Sequence, residues 1–226
     1  MQPKKKDKAF MDQFRCPTGL QGRTVAAGMN RGHSAMSTWG LKKARIEPDF
    51  VVLDVGCGGG KTISRLAQKA FQGKVFGIDY SADMVEYSRE VNMRLITQDK
   101  VEILAGSVER MGFPEDFFDL VTAIETYYFW PDLREAFREI KRVLKPERNL
   151  LMINEMVKDG VYEVKNADMI AKAHVRLIPL QEIQIMLHSV GFVNVKVFTK
   201  TKSPWNAILA QKPTRKQTRA KTGVIT

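Results

Sequence analysis

Short apolar runs alternate with amphipathic stretches along the middle of the chain. The runs are rich in Val, Ile, Leu and Phe and have the length of buried strands. They predict strands at Val51–Val55, Lys74–Ile78, Val101–Ala105, Phe118–Glu125, Leu150–Asn154, Val193–Thr199 and Asn206–Ala210. The amphipathic stretches carry apolar residues at helical spacing. They predict helices at Thr62–Phe71, Asp83–Leu95, Leu133–Leu144 and Leu180–Val190.

The order of these elements predicts how the sheet is built. Strands that alternate with helices form parallel pairs, with helices packed on both faces of the sheet. Only the short stretch KTKSP separates the last two predicted strands. A connection of that length joins antiparallel neighbours. We therefore expect an α/β fold with a mostly parallel, doubly wound sheet that ends in an antiparallel C-terminal hairpin.

The stretch VVLDVGCGGGKT, which starts at Val51, joins the first predicted strand to a helix. Its glycines leave room for a ligand to lie against the backbone at a helix N-terminus. Asp79 ends the next strand, 21 residues beyond Gly58, where a carboxylate can accept hydrogen bonds from both hydroxyls of a ribose. NAD and S-adenosylmethionine both fit these features. A P-loop is excluded because G-x-x-x-x-G-K-[ST] is absent from the chain.

Two details favour S-adenosylmethionine over NAD. A dinucleotide fingerprint, G-x-G-x-x-G, requires a third glycine where this chain has Lys61. Asp54 stands two residues before Gly56, as an acid typically does in methyltransferases, whose cofactor is a cation without a pyrophosphate. With the C-terminal hairpin, these motifs make residues 45–211 resemble the class I S-adenosylmethionine-dependent methyltransferases, of the small microbial methyltransferase-domain type. The resemblance implies a Rossmann-like seven-stranded fold, S-adenosylmethionine as cofactor, and methyl transfer.

The resemblance also implies which residues surround the cofactor. Asp79 would bind the ribose, Tyr80 would lie against the adenine, and Glu125 would face the methionine part. Ser107 stands where related proteins often carry an acid for the adenine amino group, so adenine recognition is expected to be looser. The implied cofactor-binding residues are Asp54, Gly56, Cys57, Gly58, Asp79, Tyr80, Ser107, Val108 and Glu125.

The sequence indicates the acceptor site less directly than it indicates the cofactor site. Residues 127–130 are all aromatic and either wall a site that excludes water or pack the helix that follows. Residues 10–44 form an amphipathic arm that, in related proteins, covers the cofactor as a lid, and residues 156–179 offer a second lid element. The predicted substrate contacts are Tyr128, Trp130 and Trp39. The catalytic candidates are His33, Tyr128 and Glu125, with no metal; the alternative for His33 is a structural role.

The acceptor class follows in part from what the chain lacks. No N-P-P-[YF] follows the fourth predicted strand, and no Pro-Cys nucleophile lies near the strand ends, so base methylation of the best-known kinds is discounted. Without an added recognition domain, a small-molecule acceptor is the main prediction. The alternatives are a methyltransferase acting on RNA or protein, an NAD(P)-dependent oxidoreductase, and a non-catalytic cofactor-binding protein.

The net charge of +11 is concentrated at the chain ends. Residues 1–9 contribute three net positive charges and residues 211–226 contribute five, which leaves three for the rest. Residues 1–9 and 212–226 are predicted to be basic disordered tails. Such tails either aid solubility or attract RNA, DNA and other polyanions weakly and in a salt-dependent way.

Cysteine content and hydropathy bear on the location of the protein. Two cysteines are too few for a disulfide framework. No apolar run reaches the roughly 18 residues of a membrane span. We therefore expect a cytoplasmic protein without a membrane span, and the sequence leaves its oligomeric state open.

Overall fold

The structure, a computed structural model, describes residues 13–156, 158 and 160–217. Its strands, numbered along the chain, are β1 (Val51–Val55), β2 (Lys74–Asp79), β3 (Val101–Ala105), β4 (Phe118–Ile124), β5 (Leu144–Asn154), β6 (Val193–Thr199) and β7 (Asn206–Gln211). Its helices are α1 (Gly19–Gly32), α2 (Ser34–Leu41), α3 (Lys61–Lys69), α4 (Ala82–Thr97), α5 (Leu133–Val143), α6 (Tyr162–Lys165), α7 (Ala167–Lys172) and α8 (Leu180–Ser189). A 3₁₀ turn covers Tyr127–Phe129.

One sheet contains all of these strands, in the order β3-β2-β1-β4-β5-β7-β6. Neighbours from β3 to β5 pair in parallel, whereas β7 is antiparallel to both β5 and β6. The predicted α/β fold with a mostly parallel, doubly wound sheet and an antiparallel C-terminal hairpin is therefore confirmed. The short connection between β6 and β7 leaves no length for the crossover that a parallel pair needs.

The predicted strands are all present, with one larger difference in extent. β5 begins at Leu144, six residues before the predicted start at Leu150. The added residues run beside β4 past a register shift between Phe118 and Leu120. Helix α5 therefore ends at Val143 and passes directly into β5. The added residues are mostly polar, so the apolar pattern did not mark them.

Each face of the sheet is covered by its own apolar core. On β1, Leu53 and Val55 belong to the core that includes α5 and α8, whereas Val52 belongs to the core that includes α3. Side chains alternate between the two faces of a strand. Asp54, two residues after Val52, therefore points to the face covered by α3. This alternation places the acid next to the turn that follows β1.

Two helices near the strand ends begin at capping side chains. Ser81 Oγ accepts the Met84 N–H at 3.4 Å at the start of α4. Asp132 Oδ1 accepts the N–H groups of Arg134 at 2.8 Å and Glu135 at 3.1 Å at the start of α5. Such caps satisfy backbone donors that a helix cannot pair internally. The two caps therefore fix where each helix begins after the strand that precedes it.

The C-terminal part of the fold extends beyond its predicted end at residue 211. Lys212 Nζ donates to Asp116 Oδ1 and to the Leu144 carbonyl, both at 2.7 Å. Arg215 Nη2 donates to Asp116 Oδ2 at 2.8 Å. Lys212 and Arg215, which lie in the predicted C-terminal tail, therefore pair with the body of the fold. The remainder of both predicted tails, residues 1–9 and 218–226, lies outside the described residues.

A helix that crosses a bilayer must be both long and apolar. None of the helices within the described ranges is long enough and apolar enough to do so.

Candidate functional site

A cavity of about 360 Å³ opens at the carboxyl ends of the central strands. From β1 the sheet continues through β2 and β3 on one side and through β4 and β5 on the other. The connections that leave β1 and β4 therefore diverge, and open parallel sheets bind ligands in the crevice between such connections. The volume lies in the range of small-molecule sites.

The turn after β1 brings bare backbone to this cavity. Gly56 and Gly58 have φ angles of +68° and +48°, which residues with a side chain rarely adopt. A Cβ on Gly56 would clash with Thr126 Oγ1, whereas a Cβ on Gly58 would meet no atom within 4 Å. Gly58 borders the cavity. A side chain at Gly58 would therefore occupy space that the glycine leaves to a ligand.

Asp79, at the end of β2, is held in a fixed orientation beside the glycine turn. Its Oδ2 accepts the Gly58 N–H and its Oδ1 accepts the Ser81 N–H, both at 2.9 Å. The residue is 8 % exposed and borders the cavity. Burial raises the pKa of this carboxyl, and the backbone donors partly oppose that shift. Because each oxygen can accept more than one hydrogen bond, both remain able to bind ligand hydroxyls.

Two further carboxyl groups border the cavity, the buried Asp54 from β1 and the half-buried Glu125 from the end of β4. Asp54 Oδ1 accepts the Thr122 hydroxyl at 2.6 Å, and burial raises the pKa of Asp54 to about 7. Glu125 Oε1 accepts the Glu155 N–H and lies 3.2 Å from the Tyr128 hydroxyl. Burial raises the pKa of Glu125 to about 8.

No Lys, Arg or His forms an ion pair with either carboxyl in the described part of the chain. Both groups are therefore set to ionise when a cationic ligand arrives.

The remaining residues implied for the cofactor also border the cavity, with different exposures. The Tyr80 ring is 56 % exposed, and its hydroxyl donates to the Arg15 carbonyl at 2.8 Å. Ser107 and the buried Val108 follow β3 at the same end of the cavity. The Cys57 thiol lies 3.9 Å from Ser88 Oγ on α4, and burial raises its pKa. Cys57 therefore places its side chain in the core and contributes backbone to the turn.

The three predicted substrate contacts separate in the structure. Trp130 borders the cavity, and its Nε1–H donates to Thr126 Oγ1 at 3.2 Å. Tyr128 is buried behind Glu125 and does not line the cavity, so the structure does not support direct contact with a substrate. Trp39 also lies outside the cavity lining and packs against Trp205, with ring centroids 6.3 Å apart. Helix α2 places Trp39 beside the hairpin of β6 and β7, away from the cavity lining.

The arm of α1 and α2 forms one wall of the cavity. His33, at the junction of the two helices, borders the cavity, and burial lowers its pKa. Asn30 Nδ2 donates to the Gly59 carbonyl at 3.0 Å, which ties the arm to the glycine turn. Arg23 Nη1 pairs with Glu90 Oε2 at 2.6 Å and ties the arm to α4. These contacts hold the arm over the strand ends.

Sequence reasoning did not name several residues that border the cavity, among them Arg15, Arg65 and Thr126. Arg65 lies between the apolar residues Ile63 and Leu66 of α3 and looks like an ordinary surface residue in the sequence. Thr126 immediately precedes the aromatic residues 127–130 and belongs to no motif. Their positions depend on contacts between distant segments, which no local pattern reports.

The cofactor that the motifs imply, S-adenosylmethionine, fits this site by charge and by shape. It carries a sulfonium, an ammonium and two ribose hydroxyls but no pyrophosphate. The carboxyl groups of Asp54, Asp79 and Glu125 suit the cations and hydroxyls, and the bare backbone at Gly58 leaves room for the ligand. A pyrophosphate would meet the same three carboxyl groups at the strand ends. Within the described ranges, no group of His, Cys, Asp and Glu is arranged to hold a metal ion.

Comparison with known proteins agrees with the motifs. A family model described as a methyltransferase domain matches residues 53–152. An uncharacterized methyltransferase of Bacillus subtilis, YcgJ, is 31 % identical over 114 residues, which cover 50 % of this chain and 44 % of that protein. The malonyl-[acyl-carrier protein] O-methyltransferase of a Methylovorus species is 32 % identical over 147 residues, covering 62 % and 49 %. This chain therefore aligns with about half of each of these relatives.

A solved structure extends the similarity of fold to nearly the whole chain. It is a putative methyltransferase of Haloferax volcanii in complex with the methyltransferase activator Trm112, with a TM-score of 0.74 and 18 % identity. The alignment covers 94 % of this chain and 100 % of that chain. At this identity the likeness concerns the fold alone.

Proposed function

We propose that this chain, a member of the class I S-adenosylmethionine-dependent methyltransferases, transfers a methyl group from S-adenosylmethionine to a small-molecule acceptor. The observation that carries the proposal is the cavity at the ends of β1, β2 and β4. There, the buried Asp54 and Asp79 and the half-buried Glu125 place three carboxyl groups around a glycine turn without side chains. The names of its relatives, which include an O-methyltransferase acting on a malonyl group, support the same reaction type.

Each of these residues has a distinct task in the proposed site. Asp79 accepts hydrogen bonds from the ribose hydroxyls, while the Gly58 and Ser81 N–H groups hold its two oxygens in place. Asp54 and Glu125 supply negative charge for the ammonium. The bare backbone at Gly58 allows the cofactor to lie close to the turn. When bound, the cofactor supplies an activated methyl group on sulfur, so the protein needs mainly to align the acceptor and exclude water.

The acceptor lies between the arm and the end of β4 in this proposal. Phe129 and Trp130 line the cavity from the segment after β4, and His33 lines it from the arm. Because burial lowers its pKa, the His33 ring is neutral at neutral pH and is able to accept a proton from an acceptor that arrives protonated.

A methyltransferase acting on RNA or protein remains the second candidate, and the basic chain ends favour it. The Haloferax volcanii structure contains an activator protein, so a protein partner is a further possibility for this chain. We place the enzyme in the cytoplasm, a proposal supported by two free cysteines and by the lack of a membrane-crossing helix among the described residues.

S-adenosylhomocysteine is expected to raise the unfolding temperature of the protein by a few degrees, and NAD is expected to leave it unchanged. A ligand that binds only the folded state stabilises it by mass action. The test is a melting scan with each ligand, followed by incubation with labelled S-adenosylmethionine and separate metabolite, RNA and protein fractions. Stabilisation by NAD alone would reverse the cofactor assignment. Label in the RNA or protein fraction alone would reverse the acceptor class.

Removal of residues 1–9 and 218–226 is expected to leave cofactor affinity and small-molecule turnover nearly unchanged. The cut spares Lys212 and Arg215, which pair with Asp116. It removes five of the eleven net positive charges. Any binding of polyanions should weaken with it, and in the full chain such binding should fall steeply with added salt. Loss of methyl transfer with intact cofactor binding would instead indicate that the tails deliver a macromolecular acceptor.

A further inference from the structure

The charged groups around the cavity occupy different walls. The carboxyl groups come from the strand ends, whereas Arg15 and Arg65 border the cavity from the arm and from α3. Arg15 is exposed and lies at the β2 end, where its carbonyl accepts the Tyr80 hydroxyl. Arg65 is half-buried and lies next to the junction of α1 and α2. The cavity therefore has a positive group away from its acidic floor.

Arg65 has no counter-ion in the described part of the chain. Its Nη2 donates to Ser34 Oγ at 2.6 Å, and none of the ion pairs found there includes it. Arg142, in contrast, pairs with both carboxylate oxygens of Glu139. Burial lowers the pKa of Arg65, as expected for a cation that no carboxylate compensates. The Ser34 contact uses one of five N–H donors on the guanidinium.

The side chain that Arg65 contacts, Ser34, is polar and neutral. Ser34 follows His33, whose lowered pKa keeps the ring uncharged at neutral pH. The Ser37 hydroxyl donates to the His33 carbonyl at 2.8 Å, and both residues border the cavity. An anion at this wall would meet a guanidinium and a ring nitrogen, whereas a cation would meet only repulsion from Arg65.

We propose that Arg65, with His33 beside it, forms a subsite for an oxyanion, a carboxylate or a phosphate, of a bound ligand. A planar guanidinium binds such groups through two parallel hydrogen bonds. This inference rests on the proposed function, because it assumes that the cavity holds cofactor and acceptor. Two ligands have the required chemistry: the amino-acid carboxylate of the cofactor, and an anionic group on the acceptor.

The first experiment tests the cofactor as the source of the oxyanion. Affinities for S-adenosylhomocysteine and for its decarboxylated analogue are measured with the wild-type protein, Arg65→Gln and Arg65→Lys. If the cofactor carboxylate occupies the subsite, Arg65→Gln lowers the affinity for S-adenosylhomocysteine about fivefold to tenfold. The affinity for the decarboxylated analogue stays unchanged. Arg65→Lys restores part of the loss, because it keeps the charge and loses the planar fork.

The second experiment tests the acceptor as the source. Malonate and inorganic phosphate are titrated against protein saturated with S-adenosylhomocysteine, at constant ionic strength, and the unfolding temperature is recorded. If the subsite binds an anionic group of the acceptor, these oxyanions raise the unfolding temperature of the wild-type complex. The rise is absent in Arg65→Gln. If the cofactor already fills the subsite, they have no specific effect and the first experiment gives the positive result.

Two control variants separate charge from folding. Arg31→Gln removes an exposed arginine from the same arm that does not border the cavity, and it should change neither measurement. Ser34→Ala removes the hydroxyl that binds Arg65, and it reports how much of any loss comes from looser packing of the arm. An Arg65→Gln protein that folds and behaves like wild type in both experiments overturns the oxyanion subsite. Failure of wild type to bind S-adenosylhomocysteine at all would overturn the proposed function instead.

Discussion

Replacement of Asp79 by Ala is expected to weaken S-adenosylhomocysteine binding by about 1–3 kcal/mol, the cost of leaving hydrogen-bonding groups unpaired in a closed site. The carboxyl group is 8 % exposed and borders the cavity, so its loss cannot be compensated fully by water. The substitution also releases the Gly58 and Ser81 N–H groups that Asp79 holds. The affinity is measured by calorimetry on protein whose fold has been checked by circular dichroism.

Two further variants make this result specific. Asp79→Asn keeps an oxygen for one backbone N–H but loses the second acceptor, so its loss of affinity should be smaller than that of Asp79→Ala. Glu86→Ala removes an exposed carboxylate from α4 that pairs with Arg23 and does not border the cavity, and it should leave affinity unchanged. Unchanged affinity in a folded Asp79→Ala protein would show that another residue binds the ribose.

The affinity for S-adenosylhomocysteine is expected to rise at least about tenfold between pH 6 and pH 8, the range over which a carboxyl with a raised pKa ionises. Burial raises the pKa of Asp54 to about 7 and that of Glu125 to about 8. The ligand ammonium favours the charged carboxylates, so binding at pH 6 must first remove protons from them. Calorimetry in two buffers of different ionisation enthalpy measures the protons released.

The same carboxyl groups predict the opposite trend for stability without ligand. Their folded pKa values lie above those of the unfolded chain, so the folded state binds more protons between about pH 4 and pH 8. The free energy of unfolding contributed by these groups therefore falls as the pH rises through that range. Asp54→Asn and Glu125→Gln should each flatten both pH profiles. Equal affinity at pH 6 and pH 8, with no proton release, would contradict the assignment of the ammonium to these carboxylates.

Local patterns account for the parts of the fold that the sequence predicted well. The strands are short apolar runs, which can be recognised in the sequence. The turn needs positive φ at Gly56 and Gly58, and the glycines themselves indicate this. The start of β5 at Leu144 could not be recognised from an apolar run in the sequence. It depends on pairing with β4 past a register shift, which is a contact between distant segments.

Some residues of the candidate site could be predicted from the sequence, and others could not. Asp54 and Asp79 lie at strand ends and Gly58 lies just after one. Because the carboxyl ends of parallel strands meet at one edge of a sheet, the proximity of these residues was predictable from the order of elements. Trp39 and Tyr128 were expected at the acceptor site from their residue type alone, and the structure places both outside the cavity lining. Residue type says that an aromatic ring is buried but does not say against which neighbour it packs.

The sequence by itself determined the alternation of strands and helices, the antiparallel ending, and a turn whose glycines and acids suit a cationic nucleoside ligand. The tertiary structure decided which side chains face the cavity. Gly40 packs directly on Ile153 of β5, which seats α2 on the sheet and turns Trp39 towards Trp205. The hydrogen bond from Arg65 to Ser34 draws a helix and the arm together at the cavity wall. Such orientations depend on packing between segments far apart in the chain, so they cannot be predicted from local periodicity.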